Sequence, residues 1–285
     1  GCYRFRDVMD DDGLGQQDIA IEVAVTVSEG TVTVDFTGTA GQVSGNINCP
    51  LSVAAAGVFY VFRCLMPEQT PACAGCFRNI RLLAPQACLV NAQRPAAVAA
   101  GNVETSSRIV DVVMGALAQA LPEHIPAASQ GTMNNLAMGA RHETHSWDYY
   151  ETMGGGTGGG HGHPGLDATQ SHMTNTLNTP IEVVEMAFPL RVARYQLRSG
   201  SGGAGRHRGG EGLLRSFEFL EPATVTLLTE RRRHQPWGLH TGQPGRCGEN
   251  RRNNELLPGK VSSRFEAGES LTVATPGGGG WGAGQ

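Results

Sequence analysis

No uninterrupted apolar run reaches the roughly 18 residues that a membrane-spanning helix needs, and no charged-then-apolar segment resembles a secretory signal. A basic excess is also missing. Lys and Arg number 22 against 26 Asp and Glu, a formal charge of -4, whereas a nucleic-acid partner demands a basic face to neutralise phosphates. Membrane and nucleic acid are therefore excluded as partners. Seven cysteines, an odd number without a secretory signal, do not make a disulfide framework and are expected as reduced thiols in a cytoplasmic protein. No Gly-Lys-Ser or Gly-Lys-Thr follows a glycine loop, so Walker-type ATP binding is not expected. A serine nucleophile would need Gly-x-Ser-x-Gly, and the nearest approach, Ala127-Ala128-Ser129-Gln130-Gly131, lacks the first glycine. Charge itself is scarce, at 17% of residues, which implies surfaces covered by a partner; the apolar stretches at 237–239 and 277–281 are expected to be exposed and covered in this way.

Glycine is abundant instead. It supplies 40 of 285 residues, about twice the usual share of roughly 7%, in clusters and not in a collagen period. Between the clusters, Ile19, Ile21, Val23, Val25 and Val27 alternate with polar or small residues. After Glu29-Gly30 the alternation resumes at Val32, Val34 and Phe36, which predicts a β-hairpin. An apolar stretch over 52–67 predicts a buried helix. A second helix is expected over 105–121, where Ile109, Val112, Val113, Ala116, Leu117 and Ala120 recur at helical spacing, Thr105 or Ser106 can cap the start, and Pro122 follows. Strands are predicted over 181–190 and 192–197. A further hairpin is expected where Phe217, Phe219, Val225 and Leu227 flank Glu221-Pro222. The fold class is α+β, mostly antiparallel strands and hairpins with a few buried helices and long Gly-rich loops. It divides into regions 1–125 and 126–285, or forms one continuous domain.

Two stretches fit Gly-x-Gly-x-x-Gly, at 154–159 and 200–205, but neither opens a helix followed by an acidic residue at a strand end, so no dinucleotide site is expected. Gly154, Gly155, Gly156 and Thr157 could offer N–H groups to an oxyanion or phosphate, or serve as turns that tolerate no Cβ. Arg206 and Arg208 could bind phosphate or carboxylate, or pair with Glu211, Glu218 and Glu230. His161, His163, Asp167 and His172 are close enough in sequence to hold zinc or manganese, or are solvated loop residues. Cys73-Ala74-Gly75-Cys76 has CxxC spacing without a second pair, which suggests buried structural thiols.

An ordered series of phrases goes further: Asp35-Phe36-Thr37-Gly38, Gly45-Asn46-Ile47-Asn48, Gly101-Asn102-Val103-Glu104-Thr105-Ser106, Gly131-Thr132-Met133-Asn134-Asn135, Tyr150-Glu151-Thr152-Met153-Gly154-Gly155-Gly156, His172-Met173-Thr174-Asn175-Thr176, Thr179-Pro180-Ile181-Glu182, and Pro276-Gly277-Gly278-Gly279-Gly280-Trp281. In this order they resemble the hydantoinase B/oxoprolinase family. The resemblance implies part of an ATP-dependent enzyme acting on small cyclic amides, with a hydantoinase A-like ATPase subunit as partner. A subunit portion of an acetone or acetophenone carboxylase is the alternative enzyme, and a non-catalytic interaction module the alternative class. The His-Ala-Asp-Ile-Gly-Gly type motif that the family carries near its N-terminus does not occur. The chain therefore resembles the C-terminal half of such a subunit, with the N-terminal half as a further partner. No cofactor is expected on this chain alone; ATP and a divalent metal would belong to the full complex. Cys73 and Asn79 stand where relatives usually show asparagine and proline. The resemblance draws attention to Thr174, Asn175 and Thr176 as groups that orient a substrate amide and to Glu182 as base or orienting carboxylate. These are expected to lie beside the loop 151–160.

Overall fold

The computed structural model describes residues 1–143 and 145–284. They form two compact units, Gly1–Pro126 and Ala127–Gln285, of α+β class, in which strand residues in mainly antiparallel sheets far outnumber helical ones.

In the first unit, β1 (Cys2–Asp11) pairs antiparallel with β2 (Gln17–Ser28), which pairs with β3 (Thr31–Asp35). The Glu29-Gly30 turn has both residues at positive φ, 49° and 74°, the two-residue geometry whose twist matches that of the flanking strands. Alternation decides the faces: Ile19, Ile21, Val23 and Val25 are all buried. α1 (Leu51–Leu65) leads on towards β4 (Ile80–Leu83), which pairs parallel with β3. α1 stops because Met66 precedes Pro67 and takes the extended backbone that proline imposes on its neighbour. α2 (Ser106–Leu117) is buried at every position and lies against α1, β1 and β2. A π-helical turn over Gly101–Thr105 runs straight into it, so neither Thr105 nor Ser106 caps the helix. Their hydroxyls go instead to the carbonyls of Ile47 and Asn102. Close approach sets two glycines here: a Cβ on Gly57 would meet Ile109 at 2.9 Å, and one on Gly115 would meet the Phe5 ring at 2.6 Å. Arg108 is wholly buried in α2, where Asp7 at 3.4 Å and Asp111 at 3.6 Å balance its charge and the Val8 carbonyl accepts a hydrogen bond.

In the second unit two sheets share a core. One holds β12 (Lys260–Phe265), β9 (Ala223–Leu228), β5 (Asn135–Arg141) and β6 (Ser146–Glu151) in that order. The other runs β11 (Glu255–Leu257), β10 (Glu249–Arg252), β13 (Ser270–Ala274), β8 (Gly212–Phe219), β7 (Leu190–Arg198). Leu136, Met138, Trp147, Tyr149, Phe217, Phe219, Val225, Leu227 and Phe265 fill the space between them.

Two expectations are corrected. Phe217 and Val225 do not share a hairpin: β8 pairs with β7 and β13, whereas β9 pairs with β5 and β12, and the chain changes sheet at Leu220–Pro222. Each strand has one apolar face, and these faces meet across the core instead of lying side by side. Residues 181–187 form a short helix, α3 (Ile181–Ala187), not a strand. Its first turn closes on the Pro180 carbonyl, it buries Val184 alone, and Phe188 before Pro189 returns to extended backbone. β-branched residues misled the reading where proline set the boundaries.

Glycine-rich segments make up much of the rest of this unit. Gly278, Gly279 and Gly280 donate in turn to the carbonyls of Gly210, Ala128 and Gln243, on three different neighbours. Trp281 then returns to the 207–210 segment, three residues after Gly278. The same period holds at Gly156 and Gly159, which reach Pro276 and Gly279, and at Thr157 and Gly160, which reach Leu166 and His163. A β-strand alternates between two neighbours; a threefold turn, as in polyproline-type helices, serves three. Such backbones pack without room for side chains. A Cβ on Gly278 would overlap the Thr157 carbonyl, and one on Gly158 the Ala127 carbonyl. Gly277 to Gly280 are consequently buried, whereas Trp237, Gly238, Leu239 and Trp281 are half-buried, so the glycine run is interior packing and only its flanks are partly exposed, in place of the exposed patch that composition suggested.

Candidate functional site

β6 alternates so that Trp147, Tyr149 and Glu151 face inward, which carries a carboxylate to the edge of an apolar core. A buried charge needs partners, and Glu151 has them. It pairs with fully buried Arg215 from β8, accepts from the Tyr149 hydroxyl at 2.5 Å, and accepts from the Thr179 N–H at 2.6 Å. The Arg215 guanidinium lies over the rings of Tyr195 and Phe217, 4.8 and 5.0 Å from their centroids. Burial, and then the hydrogen bond to Glu151, push the Tyr149 hydroxyl well above its ordinary pKa. Sequence reading missed this pair; the signal was the inward register of Glu151 after two buried aromatics.

Beyond Glu151 the chain is held from both sides. The Thr152 carbonyl accepts from Asn178 at 2.9 Å and Gln170 at 3.2 Å, and its hydroxyl meets the Thr176 hydroxyl at 2.7 Å. The start of the 151–160 loop therefore does lie beside Thr176 and Thr179. Thr174 is half-buried, Asn175 and Thr176 are exposed, and Glu182 is exposed in the first turn of α3. Close by in the chain, Leu177, Val183 and Met186 are exposed at 96%, 49% and 88%, an unusual amount of apolar surface for so short a stretch.

The glycines turn away from this rim. Gly155, Gly156 and Thr157 donate their N–H groups to the carbonyls of Thr169, Pro276 and Leu166, and Gly154 is buried, so these donors are spent on the bundle and not displayed to an anion. The loop at 200–205 does cradle an anion, but one of the protein's own. Ser201 N–H, Ser201 hydroxyl and Gly202 N–H all reach one Glu211 carboxylate oxygen, at 2.6, 2.9 and 3.1 Å. Burial alone would raise the Glu211 pKa, and these donors outweigh it to leave it lowered. Arg208 is engaged through both terminal nitrogens by Asp167, at 2.8 and 3.1 Å, whereas Arg206 is exposed.

The suggested metal set is not brought together. His161 packs against Trp281, His163 meets the Pro164 carbonyl, Asp167 is taken by Arg208, and His172 takes a positive φ of 56°. Nor are the CxxC cysteines both buried: Cys73 is exposed and Cys76 half-buried, 3.8 Å apart at their sulfurs. A cavity of about 780 Å³ on the outer face of the β5–β6–β9 sheet, lined by Arg141, Tyr150, Thr226 and Arg264 among others, contains none of the sequence candidates.

In the second unit, a β-sandwich joined to a buried glycine bundle defines an α+β architecture. The model of the hydantoinase B/oxoprolinase family matches residues 1–284, and the chain belongs to that family. It is 41% identical over 282 residues to 5-oxoprolinase 1 of Arabidopsis thaliana, covering 97% of this chain and 21% of the relative. It is 33% identical over 288 residues to the putative B component of a D-/L-hydantoinase from a Pseudomonas species (strain NS671), covering 96% and 48%. Among solved structures, the ATP-dependent caprolactamase from Pseudomonas jessenii superposes with a TM-score of 0.86 at 24% identity, over 99% of this chain and 52% of that one. Nucleotide-free acetone carboxylase does so with 0.81 at 18%, over 99% and 45%. Both show a shared fold. The chain spans about half the length of the hydantoinase component and about a fifth of the 5-oxoprolinase.

Proposed function

We propose that this chain is part of a subunit that completes ATP-dependent hydrolysis of a small cyclic amide, working with a hydantoinase A-like ATPase subunit and with the N-terminal half of its own subunit. The observation that carries this reading is the sequence likeness to 5-oxoprolinase and to the hydantoinase B component along nearly the whole chain. The carboxylase alternative rests on likeness of fold alone. An unactivated lactam has no leaving group. Transfer of a phosphoryl group from ATP to its oxygen supplies one; water adds to the carbon, the C–N bond breaks with a proton passing to the ring nitrogen to leave an acyl phosphate, and a second water releases the phosphate and leaves the carboxylate.

The rim formed by Thr174, Asn175, Thr176 and Glu182 is the reactive surface in this proposal. Thr152 and the Thr176 hydroxyl bonded to it fix one side, and Asn175 and Thr174 orient the amide. Exposed Arg206 is available to an anionic group. Glu182, with its carboxylate in solvent, takes the proton of the attacking water or orients that water. The test is Glu182→Gln in the reconstituted two-subunit enzyme. A general base contributes about 10²- to 10⁴-fold, so turnover should fall by that order with an unchanged melting temperature. Equal losses of rate and stability, or no loss of rate, would remove Glu182 from the mechanism.

A further inference from the structure

At the far end of the β5–β6 hairpin the register continues past Arg141↔Ser146, so that His142 and His145 face each other across the turn, with the His142 N–H donated to the His145 carbonyl at 2.9 Å. Directly opposed residues project from the same face, and the two imidazoles accordingly stack with centroids 4.7 Å apart. Both turn their Nε2 atoms towards one carboxylate, that of Glu221, at the crossing between β8 and β9: His142 at 3.1 Å and His145 at 3.2 Å. Trp147 donates its indole N–H to the same carboxylate at 2.7 Å. Among the described residues this is one place where three metal-ligating side chains have all their donor atoms within 4.8 Å of one another.

We infer that His142, His145 and Glu221 form a site for a late first-row divalent cation such as Zn²⁺, independent of the hydrolase reading. Imidazole nitrogen and carboxylate oxygen are the donors that Zn²⁺ takes. At about 2.0–2.2 Å from the ion, tetrahedral ligand atoms stand roughly 3.3–3.5 Å apart. The two nitrogen-to-oxygen separations need to open by only a few tenths of an ångström, a side-chain adjustment for exposed rings. The Trp147 N–H bonds Glu221 Oε1, the oxygen both imidazoles approach, and so holds the carboxylate in place, as outer partners of ligating groups do. Three protein ligands leave a fourth position to water or to an incoming donor. The ion would tie the hairpin end to the inter-sheet crossing, two parts of the fold joined there by these side chains.

The test is a Co²⁺ titration of the tag-free protein followed by visible absorption, with Zn²⁺ as competitor and thermal unfolding as second readout. The expected result is one saturable tetrahedral band per chain, displaced by Zn²⁺, and a melting temperature raised by either ion. His142→Ala with His145→Ala should abolish the band and the shift without lowering the metal-free melting temperature. Trp147→Phe should weaken binding about 10- to 100-fold, the usual effect of removing an outer partner. No saturable band, or equal binding by the double histidine variant, would overturn the proposal.

Discussion

Among single residues, the cysteines are set apart by their surroundings. The Cys76 thiol, and then the N–H groups of Gly75 and Cys76, hold the exposed Cys73 thiol below its ordinary pKa, whereas burial pushes the Cys49 thiol up to about 12 and also raises Cys88. Because the thiolate is the nucleophile, alkylation of the native protein should label Cys73 first and at lower pH, and should leave Cys49 and Cys88 unlabelled until the chain unfolds. Mass spectrometry of peptides along a pH series reads this directly; early labelling of Cys49 would contradict the burial. Charges obey the same logic. Arg215→Met alone strands the buried Glu151 carboxylate and should cost about 3–5 kcal/mol of stability, while Arg215→Met with Glu151→Gln should cost markedly less, because no unpaired charge remains. Denaturant unfolding of both variants decides between these outcomes. At acid pH, Asp167 matters: hydrogen bonding to Arg208 lowers its pKa against the opposing effect of burial. A carboxylate with a lowered folded pKa adds stability above its unfolded value near 4, and loses it as the pH falls through the folded value. Arg208→Met should therefore flatten the acid limb of the stability profile and leave the alkaline limb unchanged.

At the scale of elements, the glycine bundle makes a demand that strands and helices do not. Its segments approach so closely that a methyl group on Gly278 would sit inside a neighbouring backbone, where no side chain can yield. Gly278→Ala should thus cost more than about 4 kcal/mol or prevent folding, while Gly284→Ala, with nothing within 4 Å, should stay within about 0.5 kcal/mol. Yield and thermal unfolding of the pair provide the comparison. A similar tolerance at both positions would mean that the bundle is loosely packed. α3 is the opposite case. It is seven residues long, buries Val184 alone, and presents Glu182, Val183 and Met186 outward. A helix this short gains little from its own hydrogen bonds, so its exposed apolar face suits it to contact with another polypeptide.

For the whole molecule, no helix among the described residues is long and apolar enough to cross a membrane, and the anion-holding glycine loop is already filled by Glu211. The chain alone should accordingly show no ATP binding by calorimetry and no ring opening of hydantoin or 5-oxoproline; turnover by the chain alone would refute the dependence on an ATPase partner. Much of this protein was determined by sequence alone. Period-two alternation defined β2 and β3, an uninterrupted apolar stretch defined α1, helical spacing defined α2, and the ordered phrases defined the family, because each is a local pattern tied to one chain segment. Tertiary structure decided what local pattern does not encode. It assigned β8 and β9 to different sheets, since an apolar strand face is satisfied equally by a core in front of it and by a neighbour beside it. It turned Gly154 to Gly160 from an apparent ligand cradle into interior backbone, since whether an N–H is free depends on carbonyls far away in the chain. It also brought His142 and His145 to Glu221, a meeting that arises only when the hairpin end and the sheet crossing come together in space.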